Sequence, residues 1–334
     1  MDSSVSISAA QKLAGTSCLV TGGAGFIGSH LTRLLVAARA SVTVLVSDPS
    51  RIFPMRIADL RGKVAIEAAN LADAIATASV IERVRPDFVF HLAAFTHVGA
   101  SFERASECVE TNVTGTFNLL EALRRYPPRR FVYIGSSEIY GDVEVPFRED
   151  GPVNPVSPYA VSKYAAERLV RIYGEAHGIS HVCLRPFNAY GPGQSPDRII
   201  PETITKALRG RAIEITGGVQ TREFNYVEDL AEAIVKAATA PAEVEGQVIN
   251  IGCGEEISMK EIAAKVLELM GNPVELRVGS LPYRPKEIWR MYCDNSKARA
   301  LLEWEPKTSL EEGLKKTIEW YTAELANPDS PYFL

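Results

Sequence analysis

Residues 16–31 read TSCLVTGGAGFIGSHL: an apolar run, a loop with Gly22, Gly25 and Gly28 in GxxGxxG spacing, then a helical pattern. Glycines so spaced permit a tight turn, let the backbone approach a pyrophosphate and let the next helix pack on the strand, while the helix N-terminus faces the phosphates. A strand, such a loop and a helix in this order predict a dinucleotide site, with Gly22, Gly25, Phe26, Ile27 and Gly28 around the cofactor. A lone glycine loop is a weak signal, so the rest of the chain must support it.

Working outward, similar short runs recur at 41–46 (SVTVLV), 64–69 (VAIEAA), 87–93 (DFVFHLA), 130–136 (RFVYIGS), 181–186 (HVCLRP) and 247–252 (QVINIG). They are apolar on both faces, as buried parallel strands are, and helices are expected between the first six. The fold class that follows is α/β: a doubly wound parallel sheet of the Rossmann type. After Pro186 the pattern loosens into the loop NAYGPGQSPD, a helix starting near Pro201 and a short strand around AIEIT. Residues 225–258 read as sheet-like again, and 259–334 as two or three amphipathic helices. The expected division is a dinucleotide-binding domain, 13–186 plus 225–258, and a smaller C-terminal α/β substrate lobe, 187–224 plus 259–334.

The 334 residues carry a formal net charge of −5, with 46% hydrophobic and 23% charged side chains, which is the balance of an ordinary globular protein. No Lys/Arg block is long enough to track a nucleic acid, so nucleic acid is not expected as a partner. The five cysteines are scattered without CxxC or Cys/His spacing, and neither a disulfide framework nor a metal site is expected. His91, His97, His177 and His181 show no ligand spacing either. The opening residues lack a basic region followed by an apolar one, and no run approaches the roughly 18 apolar residues of a membrane span, so a cytoplasmic location away from membranes is expected.

Tyr159 and Lys163 lie in SPYAVSKYAAERLV, where Pro158 marks a helix start. Four residues apart they share one helix face, which predicts an ammonium beside a phenol, favouring the phenolate. A phenol of ordinary pKa near 10 is a poor base at neutral pH, so such help is needed. At the end of the second strand an NAD site wants an acid for the ribose, but Val46 and Ser47 stand there and Asp48 follows. Arg51 and Arg56 lie close by and make a site for the 2′-phosphate of NADP credible, so NADP is the alternative to the expected NAD.

TGGAGFIGSHL, HLAA at 91–94, NVTGT at 112–116, GSSEIYG at 135–141, SPYAVSK, RPFNAYGPGQ at 185–194 and TREFNYVEDL at 221–230 together resemble the extended short-chain dehydrogenase/reductases, specifically the nucleotide-sugar epimerases and dehydratases. The resemblance spans nearly the whole chain. It implies a catalytic set of Ser136, Tyr159 and Lys163, with Lys163 also on the nicotinamide ribose. It implies that Ser47, Asp48, Asn70, Leu71, Leu92, Ala93 and Ala94 border the cofactor. Asn70 stands where the family has an aspartate for the adenine amino group, and its amide oxygen could still accept. Asn188, Arg222 and Arg284 are implied on the diphosphate of a sugar nucleotide, and the helices near 103–125 and 159–177 in a homodimer. The stripe Val109, Val113, Phe117 and Leu120 fits an intramolecular core equally well.

Glu138 follows two serines at a strand end. Many epimerases of this family have a small residue there, whereas the 4,6-dehydratases have glutamate. Oxidation at C4 acidifies the C5 hydrogen, and a carboxylate placed there can remove it. The catalytic expectation is therefore Ser136, Ser137, Glu138, Tyr159 and Lys163 performing 4,6-dehydration, with Ser137 in the place of an aspartate. UDP-glucuronate decarboxylation and C4 epimerisation are the nearest alternatives, and a non-catalytic dinucleotide sensor is the alternative from another class.

Overall fold

Cys18, Leu19 and Val20 are fully buried one after another, which requires a strand covered on both faces. In the computed structural model, which describes residues 10–47, 55–283 and 286–327, this strand lies at the centre of a sheet. The first six strands are β1 (Ser17–Thr21), β2 (Ser41–Val46), β3 (Ala65–Ala68), β4 (Phe88–His91), β5 (Arg130–Ile134) and β6 (His181–Pro186). A seventh, Val248–Ile251, joins beside β6, giving the order seventh–β6–β5–β4–β1–β2–β3 with every pair parallel. All seven runs read as strands from the sequence are therefore strands. The order reverses between β1 and β4, and a doubly wound sheet opens its ligand crevice at the strands' carboxyl ends there.

Helices cover both faces. Phe26–Ala37 and Val227–Thr239 pack with Val20, Val44 and Val132 on one side. On the other, Ala74–Val84, Gly115–Arg125 and Pro158–His177 bury Val80, Leu119 and Val170 against Leu19, Val89 and Phe131. A separate core of Tyr190, Ile204, Tyr226, Ile262, Val266, Leu314 and Tyr321 holds the C-terminal lobe. No helix among the described residues is long and apolar enough to cross a membrane.

Three expectations need correction. Between β2 and β3 the described residues hold only a 3₁₀ helix, Met55–Leu60, not the expected α-helix; Pro49 and Pro54 in that connection each lack an amide donor. Residues 227–239, expected as sheet-like, are an α-helix. It is enclosed between the sheet and neighbouring helices, so Leu230, Ala231, Ala233, Ile234 and Val235 are all buried, and a continuous apolar run does not separate a buried helix from a strand by periodicity. Finally, Ala298, Leu302 and Trp304, from the segment assigned to the lobe, pack in the core of the main sheet.

Candidate active site

The glycine loop is a cradle that side chains would fill. Gly22 has φ +69°, and a Cβ there would stand 2.7 Å from Ala93 N; one on Gly28 would stand 2.1 Å from Gly22 O. The helix Phe26–Ala37 starts at Gly25 without a side-chain cap, so its first amides are left for a ligand. The loop thus fits a pyrophosphate. Gly28→Ala would force backbone apart and is expected to destabilise the fold by about 1–3 kcal/mol, measured by urea unfolding.

Beneath the loop, Thr116 Oγ1 donates to Asn112 O (2.6 Å), so the His91 Nε2–H must donate to Thr116 (2.9 Å) and its Nδ1 must accept from Thr21 (2.7 Å). Thr21 Oγ1 in turn accepts from Ala93 N–H (3.2 Å). The imidazole is a neutral strut between β1, β4 and the helix, and burial pulls its pKa down to about 3, with Lys163 adding to the fall. His30, donating to Pro192 O, is held down to about 4 by burial as well. Both histidines bind fewer protons folded than unfolded, so stability is expected to fall as pH drops from about 6.5 towards 3. Urea midpoints across that range check it, and His91→Gln should flatten the loss.

Above the sheet, the crevice is a cleft of about 1360 Å³ running from the glycine loop to the C-terminal lobe. Gly22, Gly25, Phe26, Ile27 and Gly28 line one part of it, and Ser47, Asn70, Leu71, Leu92, Ala93 and Ala94 continue that wall. Asn70 Oδ1, expected to be open to an adenine, accepts from Ala72 N–H at 3.0 Å and closes a local turn. Asp48 and Arg51 lie outside the described residues. Arg56 lines the cleft, but its Nε–H donates to Gly193 O (2.8 Å), across to the loop after β6.

Ser136, Ser137, Glu138, Tyr159 and Lys163 all line the middle of the same cleft. Ser136 ends the run after β5 and caps the 3₁₀ turn Ser137–Ile139, accepting from Glu138 N–H (3.2 Å). Ser157 caps the helix Pro158–His177, with Pro158 in its first turn as expected. Tyr159 and Lys163 both point inward and are buried. The expected phenolate is not what this arrangement favours: burial pushes the Tyr159 phenol up to about 12, a hydrogen bond with Ser136 opposes the rise and the Glu138 carboxylate adds to it. The Lys163 ammonium donates to Ile134 O and lies 4.8 Å from the centre of the Tyr133 ring. Burial draws it down to about 8, against the pull of Glu167. Sharing a helix face fixes where two Cβ atoms stand, not where a flexible amine points.

The hydroxyl of Ser137 turns to Met291 Sδ (3.6 Å), away from the role of the aspartate it replaces. At the lobe end Asn188 and Arg222 line the cleft. Arg222 was expected to offer its charge to a diphosphate; here it forms an ion pair with Glu287 (2.6 Å) and donates to Ile288 O (2.7 Å). Arg284 lies outside the described residues. Two cleft residues escaped the sequence reading. Glu287 sits in the same YRPKE stretch as Arg284, where only the arginine was considered. Arg198 stands directly before the helix Ile199–Leu208 at the end of an irregular loop, where no spacing marks it, yet it lines the cleft and favours the ionised form of Tyr159. Among the described residues no group of His, Cys, Asp or Glu side chains is arranged to hold a metal.

A parallel sheet with a dinucleotide cradle, a buried Ser–Tyr–Lys set and a second lobe closing one cleft defines an extended short-chain dehydrogenase/reductase of the nucleotide-sugar type. Residues 19–317 match the family model described as GDP-mannose 4,6 dehydratase, and the chain belongs to that family. It is 34% identical over 330 residues to dTDP-glucose 4,6-dehydratase of Neisseria meningitidis serogroup B, covering 91% of this chain and 92% of that protein. It is also 34% identical over 322 residues to an Arabidopsis thaliana trifunctional UDP-glucose 4,6-dehydratase/3,5-epimerase/reductase; 91% of this chain is covered, but only 46% of that longer protein. Among solved structures, UDP-glucuronic acid 4-epimerase from Bacillus cereus, in complex with UDP-glucuronic acid and NAD, superposes with a TM-score of 0.83 at 30% identity, covering 92% of this chain and 99% of that one.

Proposed function

We propose that the protein is a nucleotide-sugar 4,6-dehydratase that uses NAD. The observation that carries the reading is Glu138: a carboxylate in the cleft wall, next to Ser136 and close enough to Tyr159 to raise its pKa. Such a group has no use in simple C4 epimerisation and is what C5 deprotonation requires. Dehydratase relatives match over most of the chain, and solved neighbours hold NAD.

The residues divide the work as follows. The backbone of Gly22–Gly28 receives the pyrophosphate, and the wall from Ser47 through Asn70, Leu71 and Leu92 to Ala94 receives the adenosine and nicotinamide ends. NAD, held there, would supply a hydride acceptor for C4 and the hydride that C6 receives. Ser136 holds the sugar hydroxyl, and Tyr159 takes the O4 proton once its phenol, which burial keeps protonated, has ionised, with Arg198 and Lys163 as the cations in the cleft that favour this. Glu138 removes the C5 proton, and the same acid then protonates the departing C6 hydroxyl, because Ser137 is turned to Met291. Water leaves, and as C6 receives the hydride C5 regains a proton by way of solvent, which balances the one Tyr159 took from O4; the product is a 4-keto-6-deoxy sugar nucleotide. Asn188 and Arg284 hold the diphosphate, joined by Arg222 if it exchanges Glu287 for the phosphates; residues 13–186 plus 225–258 serve the cofactor and 187–224 plus 259–334 the sugar nucleotide, apart from the stretch around Ala298–Trp304 that packs on the main sheet.

Incubation with several sugar nucleotides, followed by mass analysis, tests this: loss of one water from one of them is expected. Arg198 gives decarboxylation of a UDP-glucuronate-type substrate a specific second footing, since a C6 carboxylate needs a cation and this one lies within the electrostatic range of Tyr159. Loss of carbon dioxide instead of water would establish it. A sugar nucleotide returned only as its C4 epimer would establish epimerisation, and no change in any would favour a sensor.

The reading includes a homodimer. Leu120 of the expected stripe is core, but Val109 and Phe117 are 45% and 41% exposed, and Val161 and Ile172 on the adjoining helix 51% and 48%. These two helices lie side by side, with Phe117 edge-on to Tyr173. A second copy covering them by a four-helix contact is expected. Phe117→Glu together with Ile172→Glu should shift sedimentation from dimer to monomer.

A further inference from the structure

Behind the catalytic cleft lies a buried polar network that the reaction scheme does not use. Arg185, on β6, is 3% exposed, and Glu167, on the helix that carries Tyr159 and Lys163, is fully buried. One edge of the guanidinium forks onto this carboxylate, Nε to Oε2 at 2.9 Å and Nη2 to Oε1 at 2.7 Å. Its other edge, through Nη1, donates to the Tyr140 hydroxyl at 2.7 Å. Tyr140 in turn donates to Asn250 Oδ1 at 2.7 Å, and Asn250 is tied to Phe147 O and to the Glu149 carboxylate.

The two ends of this network are one step from the two catalytic elements. Tyr140 closes the 3₁₀ turn that begins at Ser137, its N–H donating to Ser137 O, and it stands two residues after Glu138. Glu167 stands one helical turn after Lys163. Gly135, directly before Ser136, fits against the same pair: a Cβ there would meet Glu167 Oε2 at 3.4 Å and Leu184 O at 3.0 Å.

We propose that Arg185 is a positioning residue that fixes the spacing between the Glu138 carboxylate and the Tyr159–Lys163 pair, by clamping Glu167 with one edge and Tyr140 with the other. Stability alone is a poor reason for such a pair, because buried ion pairs gain little over well-packed apolar side chains of similar size. Geometry is a better one. A planar guanidinium with rigid donors can hold two partners at a set angle, which the point charge of lysine cannot. The reaction needs that setting, because O4 deprotonation and C5 deprotonation act on adjacent carbons of one sugar from two different backbone elements.

The inference rests on the dehydratase reading, and Tyr140→Phe tests it. This variant keeps the ring, its stacking on Phe147 at 4.7 Å and the Arg185–Glu167 fork, and removes the link from Arg185 to the Glu138 turn together with the Tyr140–Asn250 hydrogen bond. Single-turnover oxidation at C4, followed by absorbance of the reduced cofactor, should stay within about threefold of the parent, whereas C5 deprotonation, followed by deuterium uptake from solvent, should slow by about ten- to a hundredfold, the scale expected of a misplacement near 1 Å. Arg185→Lys, checked for folding by circular dichroism, should slow both steps. If Arg185→Lys does not fold, Tyr140→Phe decides alone. Equal slowing of both steps in Tyr140→Phe, or unchanged C5 deprotonation, overturns the clamp. Failure of the parent enzyme to remove water from any sugar nucleotide overturns the dehydratase reading itself, so the two failures are told apart by which protein shows them.

Discussion

Glu138→Gln is expected to oxidise its sugar nucleotide at C4 and stop there. The amide is the same size as the carboxylate, so the turn Ser137–Ile139 and its cap on Ser136 remain; Tyr159 loses only a neighbouring negative charge that opposed its ionisation, which does not hinder C4 oxidation. What disappears is the base for C5, and a positioned general base contributes about 10²- to 10⁴-fold. Elimination should fall by that factor while the absorbance of the reduced cofactor rises on mixing and persists. The parent should show only a transient rise. Normal turnover by the variant would remove Glu138 from the mechanism and leave an ordinary C4 oxidoreductase.

Tyr159→Phe is expected to fail one step earlier, with no reduced cofactor and no water lost, again by about 10²- to 10⁴-fold. The pair of variants therefore orders the two proton transfers. The pH dependence has a definite sign. Burial holds the Tyr159 phenol up at about 12 and the Lys163 ammonium down at about 8. Lys163 is thus cationic below about pH 8 and loses its charge above it, while the phenol remains protonated well beyond. Since positive charge in the cleft favours ionisation of the phenol, and Lys163 adds to that charge only while protonated, kcat/KM should decline on the alkaline side from about pH 8. Lys163→Arg, cationic throughout, should move that limb upward while lowering the plateau. An alkaline limb unmoved by this change would assign it to another group.

Much of the architecture was legible in the residues because burial on both faces writes a continuous apolar run, and seven such runs became seven strands of one sheet. The same signal failed at 227–239, where a helix enclosed on all sides is just as continuously apolar. Ser136, Glu138, Tyr159, Lys163, Asn188 and Arg222 were all found from short motifs, and all line one cleft. Their partners were not found. That Arg222 is held by Glu287, that Ser137 faces Met291, and that Lys163 donates to Ile134 O depend on side chains from distant segments.

By itself the sequence determined the sheet, the glycine cradle and which candidate groups stand in the cleft, because these depend on local periodicity, short motifs and backbone space that only glycine leaves open. Only the tertiary structure decided the state those groups are in. Burial sets the phenol near 12 and the ammonium near 8, and Arg185 joins a turn to a helix, since desolvation and long-range hydrogen bonds are properties of what surrounds a residue, not of what precedes or follows it.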